Sequence, residues 1–346
     1  MIRKVIVLIL STVLLTGCAM PIGNGGQERY QDTFMDVFDT ITTVSGYAQS
    51  EEEFNSITSE IYQQLERFHQ LFDIYHNYDG INNLKTINEQ AGIAPVEVDA
   101  GIIELLLDCR EYYEVSGGRV NVAMGSVLKL WHEARNAGID DPENAKLPDA
   151  DALKEAGQHC SFDTVVIDEK NSTVYIGDAK QSLDVGAIAK GWATQKVCEN
   201  APSGLLVSVG GNVCATGPKP ERNSSWVVAI QSPDGDAGKY LHTVELDFET
   251  YNCVVTSGDY QRFYTVDGKN YHHLIDPDTF YPAEYWKTVS IVCDDSGVAD
   301  ALSTALFLMT KEEGEKLLEK YNACAVWTDL DGENYYSDGF EELIKK

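Results

Sequence analysis

The clearest periodicity in the chain runs through "EEEFNSITSEIYQQLERFHQLFDIY", where Phe54, Ile57, Ile61, Leu65, Phe68 and Phe72 recur at steps of three and four. Apolar positions at that spacing share one side of a helix, so the segment predicts an amphipathic helix. "DAGIIELLLDCREYYEVSGG" predicts a second helix, with Asp99 placed to cap its start and Gly117-Gly118 to end it. The pattern then changes. "FDTVVIDEKNSTVYIGD" reads as two strands around a turn near residues 169–171, and "GLLVSVGGNVCATG", "SWVVAIQSP" and "KTVSIVCD" read as further strands. "GVADALSTALFLMTKEEGEKLLEKY" returns to helical spacing with a break near Thr310, and "ACAVW" follows as a strand. Helices and strands mix without regular βαβ alternation, which predicts an α+β fold rather than a doubly wound sheet.

Composition narrows the function. With 346 residues, 43% of them hydrophobic and 10% aromatic, the chain has material for a large buried core. Its formal net charge of -29 excludes unaided binding to nucleic acid or to an anionic membrane surface. Phosphates, if handled, need a metal cation, backbone N–H groups and a few chosen Lys or Arg. The N-terminus reads as an export signal: Arg3 and Lys4, an apolar run from Val5 to Leu15, then "LTGC" ending at Cys18. The run is too short for an ordinary membrane span, and its ending resembles a bacterial lipobox. The expected organisation is therefore a signal over residues 1–17, a lipidated Cys18 opening a flexible Gly-rich tether over 18–33, and one domain over 34–346. The seven remaining cysteines show no CxxC spacing and read as buried thiols, with a disulfide between two of them left open.

Four segments are candidates for chemistry. "DVGAIAKGWATQKV" begins at Asp184 and carries the small residues Gly186, Ala187, Ala189 and Gly191, with Lys190 among them. Such a helix start suits an anion, and it equally suits tight packing against another backbone. "SVGGNVCATG" places Gly210-Gly211 between strands, for a turn, a bulge or close approach of a ligand. In "ADALSTALF", Asp300 and Thr304 lie four apart, on one helical face. Two hard oxygen donors there suit Mg²⁺, while a dipole partner and a hydroxyl bonded back to its own helix explain them as well. "YHHLIDPDTFYP" sets adjacent histidines, His272 and His273, before a proline-braced turn. Neither HExxH nor G-x-S-x-G occurs, and His69, His76, His132, His159 and His242 read as surface or packing residues.

Taken together, "DVGAIAKGWA", "SVGGN", "TSGDYQRFY", "HHLIDPDTFYP" and "ADALSTALF" resemble, in order, the signature segments of the ApbE-type flavin transferases, across roughly residues 34–330. "FDTITTV" and "LFDIYHNYDGINNLKTIN" are similar to that family's opening segments. The resemblance implies largely antiparallel mixed sheets with packed helices, a T-fold-like catalytic domain. It also implies a Mg²⁺-dependent enzyme that joins the FMN half of FAD to a Thr or Ser hydroxyl of an acceptor protein and releases AMP. By motif, His273 would be the catalytic base, and the Ala187 carbonyl, Asp300, Thr304 and the adjacent Ser303 would hold the metal. Asp184, Lys190, Gly210, Gly211, Leu274, Phe38 and Tyr75 would contact FAD. So would Arg119, Val120 and Asn121, although "RVN" departs from the family's small-aromatic-Asp pattern.

The acceptor implied is a membrane redox complex subunit or an extracellular flavoprotein, met outside the cytoplasm by an enzyme anchored through Cys18. Two other readings keep the same flavin site: hydrolysis of FAD to FMN and AMP, and a flavin-binding lipoprotein without catalysis. One further departure bears on the turn. The family commonly reads DPxTGxP, and Phe280 stands where that Gly would be. Either the turn differs here, or the ring packs on flavin or acceptor.

Overall fold

Ser50 begins the first long helix: its hydroxyl accepts from the Glu53 N–H, and three glutamates in the first turn complement the helix dipole. The computed structural model describes residues 26–233 and 238–345, so the export signal and Cys18 lie outside the described residues. In chain order the helices are α1 (Glu51–Phe72), α2 (Leu84–Glu89), α3 (Ala100–Val115), α4 (Gly125–Asp140), α5 (Ala150–Ala156), α6 (Ala189–Asn200), α7 (Ser296–Phe307), α8 (Lys311–Leu318) and α9 (Phe340–Leu343). The strands are β1 (Glu28–Phe34), β2 (Thr42–Ala48), β3 (Val96–Glu97), β4 (Val165–Asp168), β5 (Thr173–Ile176), β6 (Leu205–Val209), β7 (Asn212–Ala215) and β8 (Trp226–Gln231). They continue with β9 (Tyr240–Leu246), β10 (Cys253–Gly258), β11 (Phe263–Val266), β12 (Lys269–His272), β13 (Thr288–Cys293), β14 (Ala323–Thr328) and β15 (Asn334–Tyr336).

Eight strands form one antiparallel sheet in the order β1-β2-β6-β7-β10-β13-β14-β15. Helices α1, α6 and α7 cover one face; the β8–β9 hairpin and α9 cover the other. Burial on both faces explains why "TVSIVC" in β13 is apolar without alternation: Val289 and Ile291 face the helices, while Val292 faces the hairpin side. The mixed, largely antiparallel α+β architecture anticipated above is the one found.

Asp99 caps α3 by accepting from Gly101 N–H, and Thr310 and Glu313 form a reciprocal cap that starts α8 at the anticipated break. The tether reading needs correction at its end. Residues 28–33 belong to β1, because alternate side chains such as Tyr30, stacked on Phe54, pack against α1.

A second layer lies beside this sheet. The sheet β3-β5-β4 packs with α2 and α3, while α4, α5 and the β11–β12 hairpin enclose an aromatic cluster of Trp131, Tyr264, Tyr271 and Phe280.

Candidate active site

The residues of "DVGAIAKGWA" and "ADALSTALF" meet where α6 starts against α7. A Cβ on Gly191 would lie 2.3 Å from the Asp300 Cβ and 2.4 Å from the Ser296 carbonyl oxygen, so only glycine lets the two backbones approach. Asp300 uses that closeness. Its Oδ2 accepts from the Gly191 N–H at 2.8 Å and from Asn212 Nδ2 at 2.8 Å, with Lys190 Nζ 3.8 Å away. No side chain of its own caps α6, so this carboxylate from α7 takes up one of its orphan N–H groups. Both readings of the small-residue stripe therefore hold at once: close packing, and an anion at the helix start.

Asn212 was missed by sequence reasoning, although it follows the glycine pair directly. Gly210 and Gly211, with φ of 58° and 96°, form the two-residue turn of the β6–β7 hairpin, which brings Val209 opposite Asn212. The pair thus works as a turn that aims Asn212 at Asp300. Its exposed backbone still leaves close approach open at Gly211, where a Cβ would meet nothing within 4 Å.

Asp300 is buried, yet its Oδ1 has no hydrogen-bond partner among the described residues. Thr304 Oγ1 faces the Ala187 carbonyl at 3.5 Å. A carboxylate, a hydroxyl and a carbonyl make an all-oxygen set, which fits Mg²⁺ completed by water and phosphate oxygens. Among the described residues no group of three or more His, Cys, Asp or Glu could hold a metal ion, so any ion here rests on one carboxylate and neutral oxygens. Ser303 does not join that set. Its hydroxyl donates to the Asp300 carbonyl at 2.9 Å and pairs with Ser257 Oγ at 2.8 Å, tying α7 to β10.

The two histidines separate in role. His272 Nε2 donates to the Ala283 carbonyl at 2.9 Å, and its Nδ1 accepts from the Leu274 N–H at 3.2 Å, so both nitrogens pin the turn. His273 is half-buried and its Nδ1 is enclosed without any partner. Burial first, then the positive charges of Arg262, His272 and Lys190, push its pKa down to about 3, with the Arg262 backbone opposing. The imidazole is therefore neutral at physiological pH. A buried polar atom without a partner calls for an explanation, and an incoming ligand supplies one.

Around this turn several sequence expectations change. Arg119 bonds Asp278 at 2.6 Å and lies 3.5 Å from Asp276, clamping the turn from outside. Val120 is a core residue, and Asn121 caps Ala123 N–H while donating to the Cys160 carbonyl. The side chains of 119–121 thus take part in holding the fold. The Leu274 side chain is likewise in the core.

Phe280 keeps the left-handed backbone, with φ 63°. Its carbonyl accepts from Trp131 Nε1, and its ring lies over Gly157, where a Cβ would come within 2.2 Å of it. The turn conformation survives without glycine because the partly buried ring packs against the α4–α5 cluster.

Tyr75, Phe38 and Asp184 line the remaining edge. Phe38 (φ 54°) donates its N–H to His69 Nδ1 at 3.2 Å. Asp184 Oδ1 accepts from the Gly186 N–H, and its Oδ2 is 3.9 Å from His132 Nδ1. Exposed Tyr75 reaches His132 Nδ1 with its hydroxyl at 2.9 Å, and partial burial, reinforced by Asp184, pushes its pKa up to about 12. Burial lowers the pKa of His132 despite Asp184, and burial with Arg262 lowers that of Arg135. No motif marks His132 or Arg135, and Arg262 lies inside "TSGDYQRFY" without having been singled out there. Arg135 and Arg262 repel one another and form no salt bridge among the described residues, which in a chain of net charge -29 marks an anion site.

The model of the ApbE family matches residues 35–327. The chain belongs to the ApbE family. An FAD:protein FMN transferase of Treponema pallidum is 39% identical over 256 residues, 69% of this chain and 68% of that protein. A second, from Klebsiella pneumoniae, is 27% identical over 75% of this chain and 77% of its own. The crystal structure of the ApbE protein from Thermotoga maritima superposes with a TM-score of 0.79 at 28% identity, over 92% of this chain and all of that one (100%). The flavin transferase ApbE of Vibrio cholerae shares the fold, with a TM-score of 0.71 at 19% identity.

Proposed function

We infer that this ApbE-family protein is an FAD:protein FMN transferase, using Mg²⁺ to move FMN from FAD onto a Thr or Ser hydroxyl of an acceptor protein with release of AMP. The observation that carries the reading is the neutral imidazole of His273, its Nδ1 without a partner, sharing Lys190 with the oxygen set of Asp300, Thr304 and Ala187. A protein that only stored flavin has no use for a base beside the phosphates.

In the reaction, the acceptor hydroxyl attacks the phosphorus on the FMN side of the pyrophosphate. Its proton passes to the His273 imidazole, and the bond to AMP breaks. Lys190, Arg135 and Arg262 offer positive charge to the pyrophosphate in an otherwise acidic molecule. After burial, Arg262 and Lys190 are among the charges that hold His273 down. Pairing them with the pyrophosphate therefore raises the basicity of His273 when substrate is in place. Bound Mg²⁺ would neutralise the pyrophosphate and the charge developing on departing AMP. Asp300 is aimed by Gly191 and Asn212, while His272 and the Arg119 clamp hold the turn that presents His273.

We further propose that the enzyme works outside the cytoplasm, anchored by lipid on Cys18, where its acceptor is a membrane redox subunit or an extracellular flavoprotein. No helix among the described residues is long and apolar enough to cross a membrane. Incubation with FAD, Mg²⁺ and Thr-containing acceptor peptides, followed by mass spectrometry, tests the activity. FMN-modified peptide with AMP supports it; free FMN with AMP means hydrolysis, and unchanged FAD leaves only binding.

A further inference from the structure

Three cysteines converge beneath α1 and α6, on the helix-covered face of the sheet: Cys198 from α6, Cys214 from β7 and Cys253 from β10. All are buried, and none takes part in the site above. Cys214 and Cys253 are direct cross-strand partners. The Ala215 N–H donates to the Asn252 carbonyl at 2.8 Å, which makes the next pair, Cys214 and Cys253, a non-hydrogen-bonded one. Such pairs bring Cα atoms to about 4.5 Å, inside the range a disulfide bridges. Their Sγ atoms already lie 2.9 Å apart.

We propose that Cys214 and Cys253 are joined by a disulfide in the exported protein. The link rests on the extracytoplasmic reading, since a reducing cytosol would keep the thiols apart. The alternatives fit less well. Cys198 Sγ meets the Cys214 carbonyl at 3.9 Å, and Cys293, opposite Cys253 on β13, turns its Sγ to Asp294 at 3.5 Å. In the folded sheet the Cys198 and Cys253 thiols hold the Cys214 thiol below its ordinary pKa.

The step needs a disulfide-bearing oxidant, acting before the sheet closes over the pair. The Cys214 thiolate attacks that disulfide and releases one of its thiols. Cys253 sulfur, losing its proton, then displaces the second thiol and forms the Cys214–Cys253 bond. Two protein thiols are oxidised, and the oxidant takes up the two electrons and two protons. The bond closes the base of the excursion from β7 to β10 that carries the β8–β9 hairpin. It also fixes β7, the strand that carries Asn212.

Full-length protein is extracted from membranes of an exporting host, alkylated under denaturing conditions, and digested without reductant for mass spectrometry. The expected result is a Cys214–Cys253 linked peptide, with Cys109, Cys160, Cys198, Cys293 and Cys324 alkylated. Alkylation of all seven, or a Cys198–Cys214 link, overturns the proposal. Dithiothreitol should lower the parent Tm by roughly 5 °C and leave that of Cys253→Ala unchanged. An equal response in both would also overturn it. If the protein is recovered only from the cytoplasm, the localisation reading fails instead. The pair is then tested by refolding with oxidised glutathione, where absence of the linked peptide refutes it.

Discussion

The corner where α6 meets α7 and the turn that follows β12 face one substrate with opposite construction. At the corner the groups that hold the two helices together are engaged, while Asp300 Oδ1 and Ser296 Oγ are not: Asp300 Oδ2 takes two donors, Asn212 is aimed by a hairpin, and Gly191 leaves no space. At the turn, Asp276, Arg119 and His272 are engaged, yet His273 is left with a bare buried nitrogen. Residues at the corner serve structure and chemistry together, whereas His273 contributes nothing to the hydrogen bonding that holds its own turn. Substitutions should therefore damage fold and activity together at the first region, and separately at the second.

The sharpest contrast is Asp300→Ala. It strands the Gly191 N–H and the Asn212 amide and removes the one carboxylate of the oxygen set, so folding stability should fall by about 2–5 kcal/mol. Transfer should fall steeply, with far more Mg²⁺ needed for any that remains. Denaturant melts with a Mg²⁺ titration check both, and an unchanged metal requirement would exclude Asp300 as ligand. His273→Ala should lose transfer by roughly 10² to 10⁴ while FAD affinity and Tm hold. The partner substitution, His272→Ala, should lower stability by about 1–3 kcal/mol with turnover per folded molecule retained. If the two histidines exchange these outcomes, the division of the turn is wrong.

Smaller effects probe the cluster behind the turn. Gly157→Ala should cost about 1–3 kcal/mol because the methyl meets the Phe280 ring, and Phe280→Gly in the same chain should recover part of that loss. A thermal-melt cycle over both substitutions measures the coupling; strict additivity would mean the ring moves aside freely. A further effect is in pH. His273 titrates at about 3 in the folded protein and near ~6.5 when unfolded, so between those values the unfolded chain binds more protons. Stability should rise with pH through that window and drain away as pH falls, and His132 and His272 are shifted in the same direction. Urea midpoints of parent and His273→Gln across the window check it: the variant's slope should be shallower.

Much of the molecule was legible because local rules agreed with global ones. The helix from Glu51, the Asp99 cap and the break at Thr310 follow from spacing and capping chemistry that tertiary contacts did not override. Residues 28–33 misled because a polar edge strand, half-exposed and packed on one side, carries the composition of a tether. At the site, motif order brought forward His273, Asp300, Thr304, Ala187 and Lys190. His132 and Arg135 stayed hidden, since lone polar residues on α4 carry no periodic signal of what they face, and Arg262 was given no role although "TSGDYQRFY" contains it.

By itself the sequence determined the α+β class, the long helices, the family and the chemistry on offer: an imidazole, a carboxylate, a hydroxyl and a lysine in order along the chain. Those are properties of composition and spacing, which act over a few residues. Only the tertiary structure decided which histidine has an unpartnered Nδ1, that Arg119 clamps the turn, that Phe280 turns into the aromatic cluster, and that three thiols meet. Each depends on a partner many residues away, brought near by sheet register and helix packing, and a linear pattern does not record such a partner.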